Sequence, residues 1–168
     1  MEKEATKPKK KVLTEEEKAA RMEAARKYTD TLVDKAAAAE SEYAHFTQDQ
    51  VDKIVAAAAL AGSEAALMLA HEAVEETNRG VVEDKDTKNR FATENIYNAI
   101  KDEKTVGIIA EDKIKGEVQI AAPLGVLAGI VPTTNPTSTA MFKSLMALKT
   151  RNAIVFAFHP QAQKCSVH

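Results

Sequence analysis

Two short apolar runs with a polar, uncharged turn between them constrain this chain more than any other feature. Gly125-Val126-Leu127-Ala128-Gly129-Ile130-Val131 is almost continuously apolar, the pattern of a strand buried on both faces. Pro132 ends it, because proline has no N–H for a sheet ladder. Thr133 to Thr139 is then a polar turn without a charge. From Ser138 to Leu148, the residues Met141, Phe142, Leu145, Met146 and Leu148 fall on one helical flank. Lys149-Thr150-Arg151-Asn152 closes that helix with positive charge, which a helix carboxyl end favours. Ala153 to Ala157 is a second apolar strand, broken at His159-Pro160. Strand, helix, strand predicts a βαβ unit with parallel strands. Ligands of such sheets sit beyond the carboxyl ends of the strands, here 132–137 and 158–163.

Charge divides the chain at the same place. All 25 acidic residues and 19 of the 23 basic ones precede Pro123, so the first part carries −6 and the acid-free remainder +4. The total of −2 excludes a strongly basic nucleic-acid binder. No run of 18 apolar residues exists, so no membrane-spanning helix is expected. The one cysteine, Cys165, excludes an intrachain disulfide framework and points to a cytoplasmic setting. No metal is expected, since neither His45 nor His71 has a second histidine at i+4.

Upstream of the break the chain reads as alanine-rich helices. A basic lead with Lys9-Lys10-Lys11, residues 1–13, is expected to be disordered. Thr14-Glu15-Glu16-Glu17 has the capping-box pattern and opens a helix to about Tyr43, with Met22, Ala25, Tyr28 or Thr29, Leu32 and Ala36 inward. A second box, Thr47-Gln48-Asp49-Gln50, opens one long helix with the stripe Val51, Val55, Ala58, Gly62, Ala65, Leu69, ending near Asn78-Arg79-Gly80. A third helix fits Asp84 to Ile100, with Phe91, Ala92, Ile96 and Ala99 inward. Thr105 to Ala110 and Glu117 to Ala121 predict an antiparallel ribbon, which needs a further partner because two strands alone are marginal. The expected organisation is therefore a lead over 1–13, a helical part over 14–104, a ribbon over 105–121 and the start of a parallel sheet over 122–168.

The 133–139 turn has two chemical readings. Its side chains, Asn135 and Thr137 above all, cap the following helix, or its free N–H groups and hydroxyls receive a phosphate or a developing oxyanion. Neither G-x-G-x-x-G nor a P-loop is present, so the usual dinucleotide mode is disfavoured. Lys164 beside Cys165 is a reason to expect a lowered thiol pKa.

Pro123-Leu124-Gly125-Val126, followed by Ile130-Val131-Pro132-Thr133-Thr134-Asn135-Pro136-Thr137-Ser138-Thr139, closely resembles the aldehyde dehydrogenase superfamily. The Pro-Thr-Thr-Asn-Pro-Thr-Ser string is specific for its CoA-acylating branch, including the N-terminal module of bifunctional aldehyde–alcohol dehydrogenases. Val82-Glu83-Asp84-Lys85 and Ile96-Tyr97-Asn98-Ala99 read like the same module. The resemblance implies an α/β fold: N-terminal helices, an antiparallel oligomerisation ribbon, and the first βαβ unit of a parallel cofactor-binding sheet. It implies a reversible oxidation of acetaldehyde or another short aldehyde by NAD+ and coenzyme A to acyl-CoA. It makes Asn135 the side-chain oxyanion donor, sets Ile130, Val131, Pro132, Thr133 and Thr134 on the nicotinamide side, and brings His159 and Pro160 to the adenosine ribose. Where the family frequently has Ser-Pro-His-Pro, this chain has Ala157-Phe158-His159-Pro160. The family's nucleophilic cysteine lies in a later α/β domain, so the chain reads as an N-terminal piece, inactive alone. The resemblance also implies homo-oligomers or filaments built through the 105–121 ribbon, and it leaves assembly with a full-length homologue as the non-catalytic alternative. The N-terminal stretch to about Arg26 finds no counterpart in this reading.

Overall fold

The computed structural model describes residues 13–168; the basic lead, except for Leu13, lies outside them. Helix α1, Glu15–Tyr43, starts at Thr14 with a complete capping box. Its length matches the expectation, but no residue of it is buried. Met22 and Tyr28 are exposed, and only from Leu32 on does a stripe of Leu32, Ala36, Glu40 and Tyr43 turn inward. That stripe lies along the parallel strands described below, and among the described residues nothing buries the first half of the helix.

The second capping box opens α2, Gln48–Glu64, as expected. The single long helix is instead two, for α3, Ala66–Thr77, leaves α2 at an angle of 59°. Gly62-Ser63 lies in the last turn before the bend, a pairing at which helices kink. Asn89 donates from Nδ2 to the Ala66 carbonyl at 2.9 Å, which ties the start of α3 to the segment after it. Helix α3 ends at Asn78, which adopts the left-handed conformation common after a helix.

The third expected helix is also interrupted. It comprises α4, Val82–Arg90, a π-helical turn over Phe91–Asn95, and α5, Ile96–Ile100. The wider turn rotates the inward face, so Ala92 and Thr93 are buried while Phe91 and Ala99 are exposed. Thr93 then sits against Gly62 of α2, where a Cβ would come within 2.7 Å of its Cγ2.

The ribbon is β1, Gly107–Asp112, paired antiparallel with β2, Glu117–Ala121, with a register shift between Ile108 and Ala110. Thr105 is not part of the strand. Its N–H and that of Val106 donate to Gln48 Oε1, and its hydroxyl donates to the Lys149 carbonyl. The ribbon pairs with no other strand among the described residues.

The βαβ unit is present as β3, Val126–Val131, α6, Pro136–Lys149, and β4, Ala153–Phe158. The strands are parallel, in register from Val126 opposite Ala153 to Val131 opposite Phe158. Gly129 allows that approach, since a Cβ there would meet the Phe156 ring at 2.7 Å. Burial on both faces does not hold: Ile130 is 64% exposed and no residue of β4 is fully buried. Among the described residues the two strands have both outer edges unpaired, and α6 and the second half of α1 cover the faces. The core lies instead between α2 and α6, where Val51, Val55, Ala59 and Leu145 are buried together.

The 149–152 link is more than a charged helix end. Lys149 is buried, donating to Asp52 Oδ1 at 2.7 Å and to the Lys101 carbonyl at 3.0 Å. Arg151, held at φ 57°, donates to the carbonyls of Ala44 and Ala121. Asn152 Oδ1 accepts from the N–H groups of Leu124 and Gly125 at 2.6 and 2.9 Å. Three side chains within four residues thereby fasten α1, α2 and the foot of the ribbon to the start of the sheet. The chain ends in a short helix, α7, Gln163–Val167.

Candidate active site

The carboxyl ends of β3 and β4 are joined by a bond from the His159 N–H to the Val131 carbonyl at 3.2 Å. The two expected groups of cofactor-side residues, Ile130 to Thr134 and His159 with Pro160, are therefore neighbours. Val131 is buried, Ile130 and Pro132 are exposed, and the Ile130 carbonyl accepts from Lys143 Nζ at 2.6 Å. Thr133 Oγ1 is buried without a partner among the described residues. The Thr134 carbonyl accepts from Lys85 Nζ at 3.0 Å. Beyond β4, His159 Nδ1 accepts the Gln161 N–H at 3.1 Å, which turns the chain at exposed Pro160 toward α7.

Asn135 stands at the N-cap position of α6, with φ −136° and ψ 61°, yet its side chain makes no capping bond. Thr137 does not cap either; its hydroxyl donates to Asn89 Oδ1 at 2.7 Å. The capping reading of this turn thus fails for both residues. Asn135 Oδ1 instead accepts from Lys88 Nζ at 3.3 Å. With the oxygen so occupied, the Nδ2 N–H pair is left to donate elsewhere, which is what an oxyanion site needs. Pro136 at the first helical position has no N–H, so the start of α6 is poorer in free donors than an ordinary helix. The Asn135 side chain is thus one polar donor available in this turn. Beside it opens a cavity of about 490 Å³, walled by Phe91, Ile96 and Phe142 and reaching Lys88, Asn135 and Thr139.

Lys85 and Asn89, which grip this turn from α4, carried no signal of their own in the sequence beyond the Val82-Glu83-Asp84-Lys85 string. Their spacing of four places them on one helix face. That face could have been read as polar and inward only by knowing what it packs against.

Cys165 departs from the expectation. Its thiol is raised to about 11, chiefly by burial and then by neighbouring Glu76, and exposed Lys164 does not offset this. Glu76 accepts the backbone N–H groups of Lys164 and Cys165 at 3.0 and 2.8 Å. A thiol whose pKa rises from 9.0 to about 11 on folding stabilises the fold below pH 9, and that contribution is lost as pH rises toward 11. Urea titrations between pH 8 and 11 are expected to show this loss, and Cys165→Ser is expected to remove that component of the pH dependence.

No protein-family model matches the chain. The bifunctional aldehyde-alcohol dehydrogenase AdhE of Escherichia coli K12 is 59% identical over 134 residues, 80% of this chain and 15% of the relative. The aldehyde-alcohol dehydrogenase of Streptococcus pneumoniae TIGR4 is 55% identical over 159 residues, 95% of this chain and 18% of the relative. A match over 95% of the chain cannot leave 26 residues at its start unmatched, so most of the stretch to Arg26 does have a counterpart. The crystal structure of an acetylating aldehyde dehydrogenase from Geobacillus thermoglucosidasius superposes with a TM-score of 0.82 at 51% identity, over 83% of this chain and 31% of that one. The chain spans less than a fifth of the two bifunctional relatives and about a third of the solved enzyme. By sequence and by fold, it belongs with the acylating aldehyde dehydrogenases, as a homologue of the N-terminal aldehyde dehydrogenase region of the bifunctional enzymes.

Proposed function

We propose that this segment serves the reversible oxidation of a short aldehyde, acetaldehyde by preference, to its acyl-CoA. Its part is to present Asn135 as the oxyanion donor and to begin the sheet on which NAD+ lies. The observation that carries the reading is the Asn135 side chain: it sits at a helix start without capping it, its oxygen is held by Lys88, and its Nδ2 donates to no group among the described residues. An amide N–H stabilises a developing negative charge without bringing a charge of its own. The adjacent strand ends, the acid-free turn and the unpartnered Thr133 hydroxyl fit a nicotinamide dinucleotide along Ile130 to Thr134, with His159 and Pro160 farther along it. When bound, NAD+ supplies the hydride acceptor, and coenzyme A supplies the thiol that carries the acyl group away. The cavity beside Asn135 has apolar walls suited to a short carbon chain. A single unpaired cysteine accords with a reducing, cytoplasmic setting.

These residues alone supply no nucleophile in this reading. The one thiol is buried and protonated at neutral pH, and a covalent step needs a thiolate. Purified chain given acetaldehyde, NAD+ and coenzyme A is expected to form no NADH. A polypeptide that joins the segment to the remainder of the acylating module is expected to form it only when coenzyme A is present. CoA-independent turnover by the joined polypeptide would sink the acylating reading.

The second reading, assembly with a full-length homologue, is favoured by the ribbon. Its strands expose Ile108, Ile109, Val118 and Ile120 and pair only with each other among the described residues, an edge that invites a partner. Light scattering on the same samples separates the two readings. Assembly through the ribbon predicts a mass above the monomer that Ile120→Lys lowers.

A further inference from the structure

Three polar side chains on one face of α4 hold the turn that carries Asn135. Lys85 Nζ donates to the Thr134 carbonyl at 3.0 Å, and Lys88 Nζ donates to Asn135 Oδ1 at 3.3 Å. Asn89 Oδ1 accepts the Thr137 hydroxyl at 2.7 Å. Positions 85, 88 and 89 are i, i+3 and i+4, so they share a face, and the three contacts fall on residues 134, 135 and 137 in the same order.

The anchors on residues 134 and 137 are buried, while the Lys88 bond to Asn135 lies at the surface. Lys85 is 4% exposed and Asn89 is fully buried. Asn89 is itself fixed, because its Nδ2 donates to the Ala66 carbonyl at the α2–α3 bend. Lys85 makes no ion pair with any described carboxylate, and its one hydrogen bond among the described residues is to the turn. A buried ammonium with so little compensation is costly, and burial, then Lys88, lower its pKa. Space-filling alone would be served better by methionine or leucine. The energetic sense of a cation here is what it does to the turn.

We propose that Lys85 and Lys88 are positioning residues for Asn135. Lys85 sets the plane of the Thr134–Asn135 peptide, and Lys88 fixes the amide with its oxygen on the ammonium, leaving the Nδ2 N–H pair for a ligand. The flipped amide is excluded because it would turn N–H groups toward an ammonium. A charge-assisted bond at the amide oxygen also draws density from the nitrogen, which strengthens the N–H groups as donors. The proposal rests on Asn135 being the oxyanion donor.

The test has two arms that fail separately. In the 168-residue chain, nuclear magnetic resonance should detect a scalar coupling across the hydrogen bond from Lys85 Nζ to the Thr134 carbonyl carbon. Exchange between the two Asn135 Nδ2 protons should be several-fold faster in Lys88→Met than in the wild type or Lys88→Arg, since a held, polarised amide rotates slowly. Lys88 is exposed, so these variants fold. An absent coupling together with equal rotation rates overturns the positioning role whatever Asn135 does. In the joined acylating polypeptide, Lys88→Met is expected to lower kcat about tenfold with KM for the aldehyde little changed, and Lys88→Arg to restore most of it. A positive resonance result with full activity in Asn135→Ala would instead overturn the oxyanion reading underneath.

Discussion

Asn135→Ala in the acylating polypeptide is expected to lower kcat by about 100- to 1,000-fold, roughly 3 to 4 kcal/mol of transition-state stabilisation. KM for the aldehyde should move little, because the charge that the amide stabilises is present only once the carbonyl has been attacked. The structure separates this catalytic loss from a structural one. An asparagine that capped α6 would cost about 1 kcal/mol of stability on truncation. Asn135 makes no such bond, and its contact to Lys88 is to an exposed side chain. The thermal midpoint of the 168-residue chain should therefore barely change in the same variant. Activity lost together with a large drop in the midpoint would mean that the residue builds the turn rather than serves the chemistry.

The largest stability effect is expected at Leu145→Ala. Leu145 is 2% exposed and meets Val51, Val55 and Ala59 where α6 crosses α2, with Tyr43, Phe46 and Ile96 packed around them. Removing a buried leucine side chain from such a site costs about 3 to 5 kcal/mol, through lost transfer energy and a cavity that closes only in part. Domains have about 5 to 15 kcal/mol in total, so the variant should unfold at much lower urea concentration with an unchanged slope. Met22→Ala provides the contrast. Its spacing also suggests an inward residue, yet it is 74% exposed, and its effect should stay within about 0.5 kcal/mol. Equal effects at the two positions would contradict the placement of the core between α2 and α6.

Both predictions bear on what could be read without coordinates. The two capping boxes at Thr14 and Thr47 locate their helix starts, because a box is a contact between residues three apart. The βαβ unit follows from two apolar runs and the helix between them. Asn135 came from a resemblance, and the geometry then removed the capping alternative.

The misreadings have other causes. The spacing from Val51 to Leu69 is helical throughout, but Asn89, distant in sequence, bonds the Ala66 carbonyl and the helix bends there. Phe91 has the periodicity of an inward residue, and the π-helical turn rotates it into the cavity wall. Lys164 adjoins Cys165, yet burial and Glu76 govern the thiol. Ala66 and Cys165 each meet a partner far along the chain, while Phe91 is turned by a local break in the helical period.

The sequence by itself determined which regions are helical and which are strands up to the second parallel strand, the parallel pair, and the polar turn between its strand and helix. Those depend on hydrophobic period, proline and capping chemistry, all of which act within a few residues. Only the tertiary structure decided that the core lies under α6 rather than around the sheet. It alone showed that Lys149, Arg151 and Asn152 fasten distant segments together, and that Lys85, Lys88 and Asn89 grip the turn. These are single hydrogen bonds between residues tens of positions apart, and no periodicity records a partner at that range.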